Sequence, residues 1–380
     1  MTRMAHDVVV VGASGAGLLA AYELARQGKS VCVYERAEQL APAPRTLIVT
    51  ASMNHVLGFV PQPAIVHEVY SFDLRSNGTI AYVALKEPDL IVERSALVRL
   101  LAARAQAAGV QLRLGWDFDR FELEGKRTHL VLRQRGTDHI ERVAAQHVIG
   151  ADGAHSAVAR AVGWPRPRLV TNLQARVALS SRDSPGVSRV WFAPQDTPYF
   201  YWLVPESAAT AVVGLAHDSA SEVRPKLDDF LRARGLEPIA YEAARIPLYG
   251  PAPSPTRRVG GTGVYLVGDA AGQVKGTTLG GTVTGFRGAQ VAARSILRRA
   301  SCWGERNHLH HELNLHWLLR SLLSRFREED YSALLRSLNE PLHRLLHTRN
   351  RDSMAGAYWS LVASQPRLLL LAGRALTANR

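Results

Sequence analysis

The chain has 380 residues, with 46 lysines and arginines against 33 aspartates and glutamates, a formal net charge of +13. A hydrophobic share of 47% beside 21% charged residues is that of a folded protein and excludes wholesale disorder. Only two cysteines are present, Cys32 and Cys302, which excludes a disulfide scaffold or a cysteine-rich metal site and fits a reducing compartment. Arginine outnumbers lysine 41 to 5 and is spread over the whole length. That is a compositional bias, not the basic, aromatic-laced stripe of a nucleic-acid binder, so no nucleic-acid partner is expected.

Met1 to Asp7 is polar, and the apolar run after it leads straight into glycines, so no signal peptide is read here. No stretch reaches the ~20 apolar residues that span a bilayer. The expected location is cytoplasmic. The short run Leu368 to Ala372, flanked by Arg367 and Arg374, leaves peripheral membrane contact open. Oligomeric state cannot be read.

Residues 7–35 contain the first chemical signal. Val8 to Val11 is a β-branched run of the kind buried on both faces of a parallel sheet. Gly12-Ala13-Ser14-Gly15-Ala16-Gly17 makes a tight turn, Leu18 to Gln27 suits a helix ended by Gly28, and Ser30 to Tyr34 supplies a second strand closing on Glu35 and Arg36. The acid stands 18 residues after the last glycine of this βαβ unit. Gly12 serves the turn, Gly17 lets helix and strand approach, and the helix start offers N–H groups to a pyrophosphate. Glu35 is placed for ribose hydroxyls. Ser14 stands where glycine is usual; it is small and adds a hydroxyl. The unit predicts a dinucleotide site.

Two further segments point to FAD. His147 to Ser156 carries Gly150-Ala151-Asp152-Gly153, which resembles the corresponding segment of flavoprotein hydroxylases of the p-hydroxybenzoate hydroxylase superfamily. Val264 to Gly272 resembles their second FAD motif, with Gly268 and Asp269 as the Gly-Asp pair. The resemblance implies that Asp269 bonds the ribityl chain and that a helix starting near Gly280 points at the flavin, where its dipole stabilises reduced-flavin charge. Ile91 to Leu97 is similar to the superfamily's entry to a helix and implies Arg94 as an FAD contact. Asp152 enters the cofactor set in the same way.

Gly268 to Gly285 most resembles geranylgeranyl reductases, through Lys275, Thr277, Thr278, Gly280 and Gly281, with Gly276 in place of proline. Phe200 to Pro205, followed by Val213-Gly214, is similar to that family's aromatic segment lining an isoprenoid cavity, which implies Tyr199, Trp202 and Pro205 as cavity residues. The family's cysteine-glycine segment is not matched: residues 44–50 read Pro-Arg-Thr-Leu-Ile-Val-Thr, and Arg45 resembles the hydroxylase arrangement instead. The proton donor is therefore unidentified. Lys275 and Arg45 are candidates for a substrate's polar head or for charge balance, and Arg45, Lys275, Thr277 and Thr278 form the catalytic set.

The expected fold is α/β: a Rossmann-type FAD-binding domain (1–70, 94–168, 258–300) and an inserted, mainly antiparallel β-sheet substrate domain (71–93, 169–257). A helical segment completes it (301–380), and Pro247, Pro251, Pro253 and Pro255 make the connector. Leu313, Leu315, Trp317, Leu318, Leu319, Leu322, Leu323 and Phe326 read as one broad apolar face. No metal is expected. His308, His310, His311 and His316, and the His343/His347 pair, have no cysteine or well-placed carboxylate beside them and read as a solvated face. A serine nucleophile elbow, a Walker lysine and the tryptophan segment of flavin halogenases are all missing. The resemblance implies hydride transfer from reduced FAD to a carbon–carbon double bond of a hydrophobic, isoprenoid-like substrate. NADPH or a protein serves as electron donor. The alternatives are a flavin monooxygenase and a non-catalytic FAD-bound interaction protein.

Overall fold

The computed structural model describes residues 4–40, 44–125, 127–180, 183–251 and 254–338, with 347, 351, 352 and 354. The chain opens β1 (Met4–Val11), α1 (Gly15–Ala25), β2 (Val31–Glu35), β3 (Thr46–Val49), α2 (Ser52–Leu57), β4 (Ile65–Ser76) and β5 (Thr79–Glu93). It continues α3 (Arg94–Ala107), β6 (Gln111–Leu114), β7 (Trp116–Glu124), β8 (Arg127–Gln134), β9 (Ile140–Gly150) and α4 (Ala157–Ala161). Next come β10 (Leu169–Ala178), β11 (Val187–Trp191), β12 (Tyr201–Pro205), β13 (Thr210–His217), α5 (Ala220–Arg232) and β14 (Pro238–Pro247). Last are β15 (Thr256–Val259), β16 (Thr262–Leu266), α6 (Thr282–Ile296), α7 (Cys302–Leu323) and α8 (Glu328–Arg336).

One sheet has the order β15-β16-β9-β1-β2-β6, with β8 on β9 and β7 on β8. Its centre is parallel: Val8 pairs with Val31, and Val10 with Val33 and Ile149. The valine run is buried because the strand faces two cores. Val8 and Val10 pack under α1, α3 and α6, while Val9 and Val11 pack with Trp116 and Phe118 of the β7–β8 hairpin. A Cβ on Gly17 would stand 2.4 Å from the Gly12 carbonyl oxygen and 2.8 Å from Ala151, so only glycine lets α1 lie this close to β1 and β9. The phenyl ring of Phe286 on α6 then closes over Gly15.

The second sheet runs β14-β10-β13-β12-β11-β4-β5-β3, antiparallel except for the β11–β4 pair. Period-two alternation gives it two uses. Leu173, Ala175, Tyr201, Leu203 and Val213 pack against Leu227 and Phe230 of α5, while Gln174, Trp202, Val204 and Val212 line a cavity on the other side. The boundary expected at 70/71 falls inside β4, and Thr46–Val49 also pairs into this sheet through β5. The loop around Arg45 therefore belongs to the cavity wall. Short strands without a turn signal of their own hid this.

The broad apolar face expected for the C-terminal helices does not form as one surface. Leu313 and Phe326 are buried, but Trp317 and Leu318 are exposed, and α7 buries Leu309, Glu312, Leu313, His316 and Arg320 instead. Eight apolar residues within 14 positions are too many for one helical stripe. The run Leu368 to Ala372, His343 and Pro253 lie outside the described residues. No helix among the described residues is long and apolar enough to cross a membrane.

Phe286 is 2% exposed where α6 meets α1. Phe286→Ala is expected to cost about 3–5 kcal/mol, from lost burial and the cavity left behind, as read by urea denaturation of the holoprotein.

Candidate active site

The adenosine end is built on the first βα turn. Ser14 caps α1 by accepting from the Gly17 N–H at 3.2 Å, which leaves its hydroxyl hydrogen outward. The first-turn N–H groups of Gly15 and Ala16 have no acceptor within the helix. Glu35 accepts from the Ala13 N–H at 2.7 Å and the Ala37 N–H at 2.9 Å, so its carboxylate braces the glycine loop and keeps lone pairs for a ribose. Arg36 beside it is exposed.

Asp152 does something the motif did not suggest. Its carboxylate accepts from Ser156 Oγ at 2.5 Å and from the Ala157 and Val158 N–H groups, so it organises the start of α4. Only its backbone borders the cofactor turn, 2.9 Å from where a Gly12 Cβ would stand. Two backbone donors and a hydroxyl hold the carboxylate in that position.

Asp269 follows β16 on a one-turn helix at Gly268–Ala271 and lies beside Gly281, whose Cβ would stand 3.4 Å from Oδ1. Burial pushes its carboxyl above the ordinary range, and the charges of Arg45 and Arg94 pull it back. Arg45 and Arg94 are held together because the Arg94 N–H donates to the Arg45 carbonyl at 3.0 Å, while Glu93 caps α3. Among the described residues no group donates a hydrogen bond to the Asp269 carboxylate. A buried acid without a protein donor, in line with the free first-turn N–H groups of Gly15 and Ala16, fits the ribityl and pyrophosphate parts of FAD.

Between this edge and the second sheet lies a cavity of about 600 Å³. Arg45, Lys275, Thr277, Thr278, Gly280, Gly281 and the α6 start line one side; Phe72, Val83, Phe200, Trp202 and Val212 line the other. Trp202 is where the aromatic segment placed it. Its ring lies over Gly214, its cross-strand partner, where a Cβ would come within 2.5 Å of the indole. Tyr199 and Pro205 are corrected. The Tyr199 hydroxyl donates to Asp218 at 2.9 Å behind the cavity wall, and Pro205 shares the parity of Tyr201 and Leu203, the opposite face. Phe200 takes their place in the lining. Strand parity with Trp202 was the signal for it.

Lys275 does not offer its ammonium to a substrate head. It is buried in an ion pair with Asp352, which also accepts from Thr50 Oγ1 at 2.5 Å. Arg351 pairs with Asp89 at the cavity wall, and Arg287 of α6 donates to the Asp352 carbonyl at 2.7 Å. These partners lie 77 and 262 residues apart in sequence, so no local pattern announces them. The histidines also differ from expectation. His308 and His311 are exposed, but His316 is buried and meets Thr277. No group of three metal-ligating side chains occurs among the described residues.

Burial alone would raise the Asp352 carboxyl; Lys275 and Thr50 outweigh it and hold it below the ordinary value. Its stabilisation is therefore full at neutral pH and is lost as pH falls through that depressed value. Asp352→Asn, which strands a buried ammonium, is expected to cost about 3–5 kcal/mol at pH 7 in urea denaturation, the gap closing in acid.

A family model described as an FAD binding domain matches residues 5–285. Digeranylgeranylglycerophospholipid reductase 2 of Methanothermobacter thermautotrophicus is 32% identical over 367 residues, covering 88% of this chain and 92% of the relative. A geranylgeranyl bacteriochlorophyll reductase-like protein from Thermoplasma acidophilum superposes with a TM-score of 0.78 at 18% identity, over 97% of this chain and all of that one. A p-nitrophenol 4-monooxygenase from Pseudomonas putida superposes over the full length of both chains with a TM-score of 0.65, also at 18% identity, a likeness of fold alone.

Proposed function

The chain belongs to the FAD-binding-domain family, within its geranylgeranyl reductase-like group, and from that premise we propose that it reduces carbon–carbon double bonds in the isoprenoid chains of a lipid. It is an FAD-dependent oxidoreductase. The observation that carries the substrate class is the cavity of about 600 Å³ at Gly281, walled on one side by Phe72, Val83, Phe200, Trp202 and Val212. A polar or small aromatic substrate would leave most of that wall unfilled.

When bound, FAD supplies the hydride. The chain's own residues do the rest. Gly15 and Ala16 present N–H groups to the pyrophosphate, Glu35 holds the adenosine ribose, and Asp269 holds the ribityl chain with Arg45 and Arg94 balancing its charge. The α6 N-terminus, capped at Gly281, favours negative charge at the pyrimidine end. Trp202 and Phe200 hold the alkene in register and exclude water. Thr277 and Thr278 stand where the two meet.

The purified protein is expected to carry the yellow absorption of bound flavin, and Asp269→Ala to lose it. Reduced with dithionite under nitrogen and mixed with a digeranylgeranylglycerophospholipid in detergent, the holoenzyme is expected to reoxidise as the lipid gains two hydrogens per double bond. The place of Arg45 in the cavity wall favours one second reading, a flavin monooxygenase. Reoxidation that waits for oxygen and inserts an oxygen atom would establish that reading instead.

A further inference from the structure

We propose that Thr277, backed by His316 and Glu312, is the proton donor of the reduction; the inference rests on the function read above. A hydride added to one alkene carbon leaves an electron pair at the other, and that carbon needs a proton from a group reaching into the cavity. Several polar groups there are committed. Lys275 and Thr50 both serve Asp352, the Thr46 hydroxyl donates to Glu206, and the Gln174 amide donates to Glu242 at 2.8 Å. Thr277 differs because an ionisable ring stands behind it.

Thr277 Oγ1 and His316 Nδ1 lie 2.5 Å apart, and His316 Nε2 is 3.3 Å from Glu312 Oε1. Side chains of His316 and Glu312 are 3% and 0% exposed, and the Met354 N–H donates to the same Glu312 oxygen at 2.8 Å. The two residues are one turn apart on α7, so the helix alone sets their alignment. Gly276 brings that helix in. A Cβ there would stand 3.1 Å from Arg320 Cβ and 3.3 Å from the His316 carbonyl oxygen, so the family's proline would press directly on α7. Burying a carboxylate and an imidazole on a packed helix is unfavourable compared with an apolar pair of the same size, which points to chemistry.

The balance is closed. Hydride from reduced flavin forms the first C–H bond; the π pair moves to the neighbouring carbon and forms the second with the Thr277 hydroxyl proton. Thr277 regains its proton from His316 Nδ1, which lies within hydrogen-bond reach of its hydroxyl. A proton taken up from solvent after product leaves restores the ring. Thr277 is the catalytic residue; His316 and Glu312 act through it.

The test uses the flavin-loaded protein and the digeranylgeranylglycerophospholipid. Thr277→Val is expected to lower kcat by about 10²–10⁴-fold, with KM and flavin absorption unchanged, and Thr277→Ser to restore most of it. Nitrogen-15 spectra of the histidine rings, read without turnover, are expected to show the His316 signals move in both Thr277→Val and Glu312→Gln. Thr277→Val that reduces the lipid at the wild-type rate overturns the relay, as do His316 signals indifferent to both changes. Wild-type holoenzyme that leaves the lipid unreduced overturns the functional reading and the relay with it. Loss confined to the variants is distinct from that failure.

Discussion

The approach of α1 to β1 and β9 is the contact on which the rest depends. With Gly17 against the Gly12 carbonyl and Ala151, α1 packs directly on β1 and the end of β9, and its first turn opens at the carboxyl edge of the sheet. Because β2, β1, β9 and β16 are parallel, Glu35, Gly12, Gly150 and the residues leading to Asp269 emerge along that same edge. A single extended dinucleotide can then touch a glycine turn at one end and a buried acid at the other. A side chain at Gly17 would force the helix out by more than an ångström and separate those ends.

The second sheet turns a flavin site into an enzyme of a particular kind. Its strands give one face to α5 and the other to the cavity, so one alternating pattern both stabilises the layer and shapes a hydrocarbon slot. Two ion pairs lie in that region: Lys275 with Asp352, and Arg351 with Asp89. Each of these two pairs joins segments distant in sequence. Arg351, Asp352 and Met354 reach Asp89, Thr50, Lys275, Arg287 and Glu312. The end of the described chain thereby holds both domains to the cavity.

The elements read most directly from the residues are those in which a local pattern meets a local demand. Val8–Val11, the glycine turn, Glu35, and the Gly-Asp pair at 268–269 each sit within one βα step, where the spacing of side chains along the backbone already defines the geometry. Trp202 belongs with them, since strand parity puts it on one face. Tyr199 and Pro205 stand outside the cavity lining for a common reason. A motif names a neighbourhood, but the direction of each side chain follows from strand parity and from which backbone donors lie near.

What the sequence by itself determined is the cofactor and the order of the parts: a parallel Rossmann unit, an inserted sheet and a helical end, because these follow from periodicity and short-range turn chemistry. Only the tertiary structure decided that Lys275 is neutralised by Asp352 and that His316 is buried behind Thr277. It also decided that the Arg45 strand walls the cavity. Those facts depend on segments tens to hundreds of residues apart meeting in space, and a buried charge shows its purpose only once its partner is known.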